Sequence, residues 1–571
     1  MNHNLESFEL QREAPSERCA WHLQVDGVAA SERFRPSPHD GLLRGAARES
    51  NWAECPSLEI KSYLDLELMK SAHDDGHLLL AKEIDVFAIG PNREANYGLT
   101  ITAASGTAKK GETAGPLADA INLHIEIWNS DSRCYDARGP MTTVQSDGAA
   151  VMRRALHLAL TKHTIDATSK VGVALGEGKL VLFNYLCGGA PSRPTVAGCD
   201  DNHVGKRLRM ALKALRAATQ IADFMFGREL LRGLLSEIGF TGVEIAEAMA
   251  EGSEDAQNVS AMIKFLRMMA TFTRKQVADF PAERQSVPTF RQQFKALVIL
   301  SEYCRNFVEV ITGLDAFENT RLPLSALLRR ASCLAHLAFV LYRRHGTKFI
   351  PSQHYGNTQA MIKAKFVSVA SCQAEGTNFY FSYFDATQRL EELFGMQRAM
   401  ECGSSMGMVQ FEERGGDLME SGHIYSERPE LKNTSRRLGG HLSDHQNPRS
   451  ALGSPKNYAP VDTRNVTISS AYLLGSKDCQ TILTLSSHPE NDPPLYSDDE
   501  VNFAAIAATP GVDMMRPRGE WVGVDGTPDP TDEPTGSSGG ATCEGDIEGQ
   551  TGGGDLPPCM SGSEKRTMSC F

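Results

Sequence analysis

MTTVQSDGAAVMRRALH, residues 141–157, begins as an extended apolar run, turns on Ser-Asp-Gly and enters an amphipathic helix. A strand that hands over to a helix in this way is the repeating unit of open α/β sheets. Groups at the carboxyl end of such a strand are well placed to meet ligands and metals. Asp147 stands at that end. The plain alternative is that Ser146 or Asp147 only caps the helix.

The segments before it extend the pattern. AWHLQVDGVA (20–29) and LLRGAARE (42–49) flank the turn-like RPSPHDG (35–41), which predicts an antiparallel hairpin. LEIKSYLDLELMKSA (58–72) reads as a helix, EIDVFAIG (83–90) and YGLTITAASG (97–106) as buried strands, and ADAINLHIEIW (118–128) as a helix. Strands come first and alternate with helices later. That order predicts an α/β layer fold with a mixed sheet, because parallel neighbours need crossovers whereas a hairpin does not. An RNase-H-like core is one fold with this arrangement.

From Gly205 to Arg344 the apolar residues recur at helical spacing, from KRLRMALKALRAATQIADFMF (206–226) to LSALLRRASCLAHLAFVLYRR (324–344). This predicts a helical section interrupting the sheet-forming part. NFYFSYF (378–384) and TQRLEELFGMQRAM (387–400) then read as a return to the core. The expected division is a disordered 1–19, a first core part 20–204, a helical insertion 205–376, a second core part 377–484, and an extended, largely disordered tail 485–571. Gly, Pro, Ser and acids dominate that tail between Thr527 and Pro558.

Composition narrows the function classes. With 71 acidic against 58 basic side chains the formal charge is -13, so the chain does not coat nucleic acid through bulk positive charge, and any DNA contact needs local basic patches. Its 13 Cys include no CxxC pair, which removes the zinc ribbon and the regular disulfide framework and points to a reducing compartment. The start of the chain is polar, and no segment offers about 18 uninterrupted apolar residues. Neither secretion nor a membrane partner is expected.

Two further acids invite a chemical reading. Asp26 lies inside the predicted strand HLQVDGVA, where a carboxylate is disfavoured without a partner or metal; a strand-end Asp before a Gly turn is the alternative. Glu391 lies one residue from the stripe formed by Leu390, Leu393 and Phe394, close enough to face a sheet. A solvated face is its alternative, and Glu392 its competitor. Converging carboxylates of this kind hold two Mg²⁺ roughly 4 Å apart. Nothing in their spacing unites these three.

VDGVAASERFRPSPHDGLLRGAARE (25–49), AKEIDVFAIGPN (81–92), ASGTAKK (104–110), MTTVQSDGAAVMRRALH, NHVGKRLRMALK (202–213), DATQRLEELFGMQRAM (385–400) and ERPELKNTSRRLGGHLSDHQNPRS (427–450) together resemble transposon-encoded proteins of fungi and other eukaryotes. Those proteins look like distant relatives of the P-element type of transposase. The resemblance spans roughly Ala20 to Val524. It implies an RNase-H-like core split by a helical insertion, and a DDE site that cleaves DNA and transfers strands with Mg²⁺. Asp26, Asp147 and Glu391 match its three acids, as both catalytic residues and metal ligands. It also implies DNA and further copies of the chain as partners, and residence in the nucleus. A decayed or domesticated scaffold that binds DNA or protein without catalysis is the rival reading.

The sequence departs from that family at several points. Gln388 replaces the Asp expected three residues before Glu391, although Asp385 is near, and Ala451 replaces a Trp. The first core strand starts at Ala20, leaving no room for the family's N-terminal zinc-binding DNA-recognition domain. GTP, associated with the family's insertion, is not expected: GVALGEGKLV (172–181) is one residue too long for a P-loop and has Leu180 where Ser or Thr is needed. Lys206, Arg207, Arg209 and Lys213 fall partly on one helical face and are candidate DNA contacts, with a solvated face as the alternative. His441, Asp444 and His445 lack a fourth partner at zinc spacing and read as loop residues.

Overall fold

The computed structural model describes residues 18–92, 99–108, 114–214, 218–249, 258–380, 387, 389–391, 393–395, 407–427, 461–484 and 493–524. Its centre is a mixed seven-stranded sheet. In chain order the strands are β1 Trp21–Ala29, β2 Glu83–Pro91, β3 Thr100–Thr107, β4 Met141–Ser146, β5 His163–Thr164, β6 Leu186–Ala190 and β7 Arg193–Cys199. Across the sheet they run β3-β2-β1-β4-β7-β6-β5. The first three form an antiparallel meander, whereas β4 is parallel to β1 and β7 is parallel to β4.

α1 (Tyr63–Asp74) precedes β2, α2 (Ala114–Ser130) carries the chain from β3 to β4, and α3 (Ala150–Leu160) follows β4. One face of the sheet presents Trp21, Leu23, Val25, Phe87 and Ile89 to the buried stripes of α2 and α3. The other presents Val28, Ile84, Val86 and Ala88 to Leu390, Leu393, Phe394, Phe411 and Leu418, the last two on α11 (Met408–Glu427). Both faces of β1 and β2 are therefore covered; β2 reads as a near-continuous apolar run, whereas β1 alternates, with His22, Gln24 and Asp26 between its apolar residues.

The hairpin expected between 20–29 and 42–49 does not form. β1 pairs with β2 along its whole length, from Trp21 opposite Pro91 to Ala29 opposite Glu83. Leu43–Arg44 forms its strand ladder with Arg35–Pro36, and the Leu43 N–H donates to Leu58 O at 2.8 Å. Turn residues mark where a chain bends; the partner is chosen by the apolar surface it brings, and Ile84, Val86, Phe87, Ala88 and Ile89 are all buried.

The helical section contains α4 (Asp201–Lys213), α5 (Arg228–Glu237), α6 (Gly242–Met249), α7 (Val259–Ala270), α8 (Phe290–Thr312), α9 (Leu324–His345) and α10 (Ser352–Ala374). Three expectations change here. Residues 218–227, read as helix, form the antiparallel pair Ala218–Ile221 and Phe224–Gly227; Thr219 and Ile221 are buried while Ala218 and Gln220 are not, a period of two. The helix α12 (Ile468–Thr484), assigned to the second core part, packs instead along α9, with Ser332 Oγ donating to Tyr472 O at 2.7 Å. Residues 493–524, placed in the disordered tail, are folded: Tyr496, Val501, Phe503, Ile506 and Met514 are buried in the same core as α8, α9 and α10. Residues 525–571 lie outside the described residues.

By length and composition Leu324–Lys348 could cross a membrane, but 78% of that window is buried inside the fold. It is the central core helix of this layer.

Candidate active site

Strand register sets the acids. Gln24 on β1 pairs with Gln145 on β4, and Gln145 pairs with Gly198 on β7. Two residues farther along each of these parallel strands come Asp26, Asp147 and Asp200. Side chains two positions apart share a face, so the register brings three carboxylates into one row, Asp147 and Asp200 just past the ends of β4 and β7 and Asp26 inside the longer β1. The Asp200 N–H donates to Ser146 O at 2.9 Å and holds β4 to β7 at this end.

Asp26 lies opposite Val86, on the face where Leu390, Leu393 and Phe394 pack. Those three side chains seat the helical residues 389–391 and 393–395 on the sheet, and Glu391, one position off their stripe, reaches the row. Glu391 Oε1 is 3.7 Å from His203 Nδ1, and Glu391 keeps 37% side-chain exposure, so the site opens to solvent on this side. Glu392, Asp385, Gln388, Ala451, His441, Asp444 and His445 lie outside the residues whose side chains are described.

The local backbone explains how Asp147 is presented. Its Oδ1 accepts from the Ala149 N–H at 2.8 Å, and α3 is capped at Ala149 without a side-chain bond, so neither Ser146 nor Asp147 serves as the helix cap. Gly148 has φ +79°, and a Cβ there would meet Asn357 Nδ2 at 2.6 Å and Cys199 Sγ at 2.9 Å. Glycine alone fits this turn. The Gly148 carbonyl accepts from Arg153 Nη1 at 2.5 Å and Arg207 Nη1 at 3.1 Å.

Below the row lies a buried polar layer. His22 Nδ1 is 2.7 Å from Thr143 Oγ1, and its Nε2 is 2.9 Å from Asn92 Nδ2. Burial, and then the nearby Arg389 guanidinium, lower the His22 pKa to about 3, so the ring is neutral. Arg389 donates to Pro91 O at 3.2 Å, which ties the Glu391 helix to the end of β2.

Electrostatics show the other acids acting on Asp26. The Asp26 carboxyl is pushed well above the usual carboxylate range, by burial first and then by the charges of Asp147 and Glu391, with Asp200 adding to the rise. The Gly27 N–H, 2.9 Å from Asp26 Oδ1, works against it. Asp200 behaves differently. Burial raises its pKa too, but hydrogen bonding and charge from His203, with Lys206 beyond, outweigh burial and hold it below the usual range.

Asp200 and His203 were not among the residues singled out in the sequence. Their ligand atoms and that of Glu391 all lie within 4.8 Å of one another. A signal was present: RPTVAGC followed by Asp-Asp-Asn repeats the grammar of TTVQS followed by Asp-Gly, an extended run ending in an acid.

The basic residues divide. Lys206, Arg207 and Lys213 are half-buried, and the first two lie beside the acids. Arg209 is fully buried, which removes it from any DNA-facing surface: its turn of α4 faces the fold together with Val204, Leu208 and Leu212.

No family model matches the sequence, and no curated protein matches it. Among solved structures the chain is similar to the Drosophila P element transposase strand transfer complex, with 10% identity, 72% of this chain and 78% of that chain covered, and a TM-score of 0.43. A likeness of that extent decides neither fold nor activity.

Proposed function

We propose that this is a transposase-derived protein whose RNase-H-like core cleaves DNA and transfers strands in the nucleus, using divalent metal held by Asp26, Asp147 and Glu391. The observation that carries the reading is the convergence on Asp26 of the Asp147 and Glu391 charges, from elements far apart in the chain. The strand order supports it as well: three antiparallel strands continue into two parallel ones, with acids where the parallel strands end.

The donor set fits the metal. Hard anionic oxygens gathered on one face are the ligands that Mg²⁺ or Mn²⁺ takes. When bound, two such ions activate a water or 3′-hydroxyl and stabilise the leaving oxygen. Asp26 would supply a rigid oxygen from within β1, Asp147 one from the end of β4, and Glu391 one from the solvent side. Lys206, Arg207 and Lys213 bring positive charge along α4, where a DNA backbone would be held by phosphate contact.

The test is a nicking assay on DNA with Mg²⁺ or Mn²⁺, comparing the natural chain with Asp147→Ala. Loss on the order of 10³-fold is expected, since several kcal/mol of charge stabilisation disappears. Equal activity in both would end the catalytic reading and leave a scaffold that binds DNA or protein. Lys206→Ala should weaken DNA binding evenly across sequences and reduce the slope of log affinity against log salt by about 1. An unchanged slope would take Lys206 out of the interface.

A further inference from the structure

We infer that Asp200 is a positioning residue, not a metal ligand, and that its clasp on Thr387 sets where Glu391 stands. This rests on the proposed metal site.

A carboxylate offers about four lone-pair directions, two on each oxygen. In Asp200 all four are used. Oδ1 accepts from the Asn202 N–H at 2.8 Å and the His203 N–H at 3.0 Å, capping α4, with His203 Nδ1 also 3.3 Å away. Oδ2 accepts from the Thr387 N–H at 3.0 Å and from Thr387 Oγ1 at 2.9 Å. Asp200 is 1% exposed. Closeness to His203 and Glu391 makes it look like part of a cation site, yet it has no lone pair left to give.

The location explains why such a residue is needed. Asp200 is where the chain leaves the sheet for the helical section, and Thr387 is where it comes back, 187 positions later. Thr387 O then accepts from the N–H groups of Leu390 and Glu391 at 2.9 and 3.0 Å, the first turn of the helix that carries the third acid. One buried carboxylate therefore joins the end of β7, the start of α4 and the start of the Glu391 helix. Its neighbour Asp201 ties the same neck to the helical layer through Lys365 Nζ at 2.7 Å. Leu390, Leu393 and Phe394 press that helix on the sheet and Arg389 ties it to β2, while the clasp fixes where the helix starts; without it Glu391 would shift relative to Asp26 and Asp147.

The test is Mn²⁺ affinity, read by electron paramagnetic resonance, for the full chain and for Asp147→Ala, Asp200→Asn, Thr387→Val and the Asp200→Asn/Thr387→Val double variant. Asp200→Asn and Thr387→Val should each weaken Mn²⁺ binding about 10- to 100-fold, the scale of lost outer-shell support. The double variant should lose little more than either single, because both cut the same clasp. Thr387→Val keeps the backbone N–H bond and so remains readable if Asp200→Asn folds poorly. If Asp200→Asn removes Mn²⁺ binding as fully as Asp147→Ala while Thr387→Val does nothing, Asp200 is a ligand and the inference falls. If both clasp variants bind Mn²⁺ normally while Asp147→Ala does not, the clasp positions nothing, although the metal site stands. Normal Mn²⁺ binding by Asp147→Ala overturns the site and the clasp together.

Discussion

Asp26→Asn is expected to abolish metal-dependent nicking and, in the same chain without metal, to raise the melting temperature. The two effects share a cause. Asp26 is held in a half-buried place facing Asp147 and Glu391, with its proton affinity raised by burial and by both charges. Removing its charge removes a metal ligand, for a rate loss on the order of 10³-fold or more. It also relieves a repulsion that the metal-free fold must bear, worth about 1–3 kcal/mol on the scale of an uncompensated buried group.

The pH dependence has a definite sign. Below the ordinary carboxylate range Asp26 is protonated in both states and costs nothing. Between that range and its raised folded value, the folded chain keeps a proton that the unfolded chain has lost, so stability falls as pH rises. Above the folded value the full cost is present. Thermal melts across pH should show this decline in the natural chain and a flatter profile in Asp26→Asn. Adding Mn²⁺ should stabilise the natural chain by mass action and leave the variant unchanged. A variant that melts lower than the natural chain at neutral pH would contradict the converging-carboxylate site.

Gly475→Ala should destabilise the fold by about 3 kcal/mol or more, at or beyond the upper end of overpacking costs. Gly475 lies inside α12, where a Cβ would sit 2.3 Å from Arg329 O, 2.6 Å from Ser332 Cβ and 2.8 Å from Cys333 N, mostly backbone of α9 that cannot move aside. The ion pair from Arg329 to Asp478 at 2.6 Å and the Ser332 bond to Tyr472 O hold the helices at that distance. Helix propensity alone argues the opposite, since alanine is favoured over glycine in a helix interior by about 1 kcal/mol. Gly233→Ala in α5 is the matched control. Nothing lies within 4 Å of its Cβ position, so it should stabilise by about 1 kcal/mol. Equal behaviour of the two variants in chemical denaturation would mean that α12 does not pack on α9.

Much of the local structure was legible in the residues. Glu83–Pro91, Thr100–Thr107 and Met141–Ser146 form strands, and the segments around 63–74, 114–130 and 150–160 form helices, because period and turn chemistry act within a few residues. Partner choice was not legible. The turn in RPSPHDG marks a bend, but β1 took β2, whose buried surface is far larger. Nor did Pro and Gly in 493–524 reveal that Tyr496 and Phe503 fill a gap in the helical core, since composition carries no record of a cavity elsewhere. Arg209 shows the same limit: a cation on an amphipathic helix reads as exposed until packing decides which side faces inward.

The candidate site divides along the same line. Asp147 could be noticed from its place at a strand end, and Asp26 from its place inside a strand, but neither spacing nor charge joined them to each other or to Glu391. Register across β1, β4 and β7 aligns Asp26, Asp147 and Asp200, and closure of the helical excursion brings Glu391 to that row. Propensity and periodicity are short-range forces written into neighbouring residues, so the elements could be read off the chain. Carboxylates repel and do not seek one another; only apolar burial and strand pairing over hundreds of positions are strong enough to hold them together, and those exist only in the folded whole.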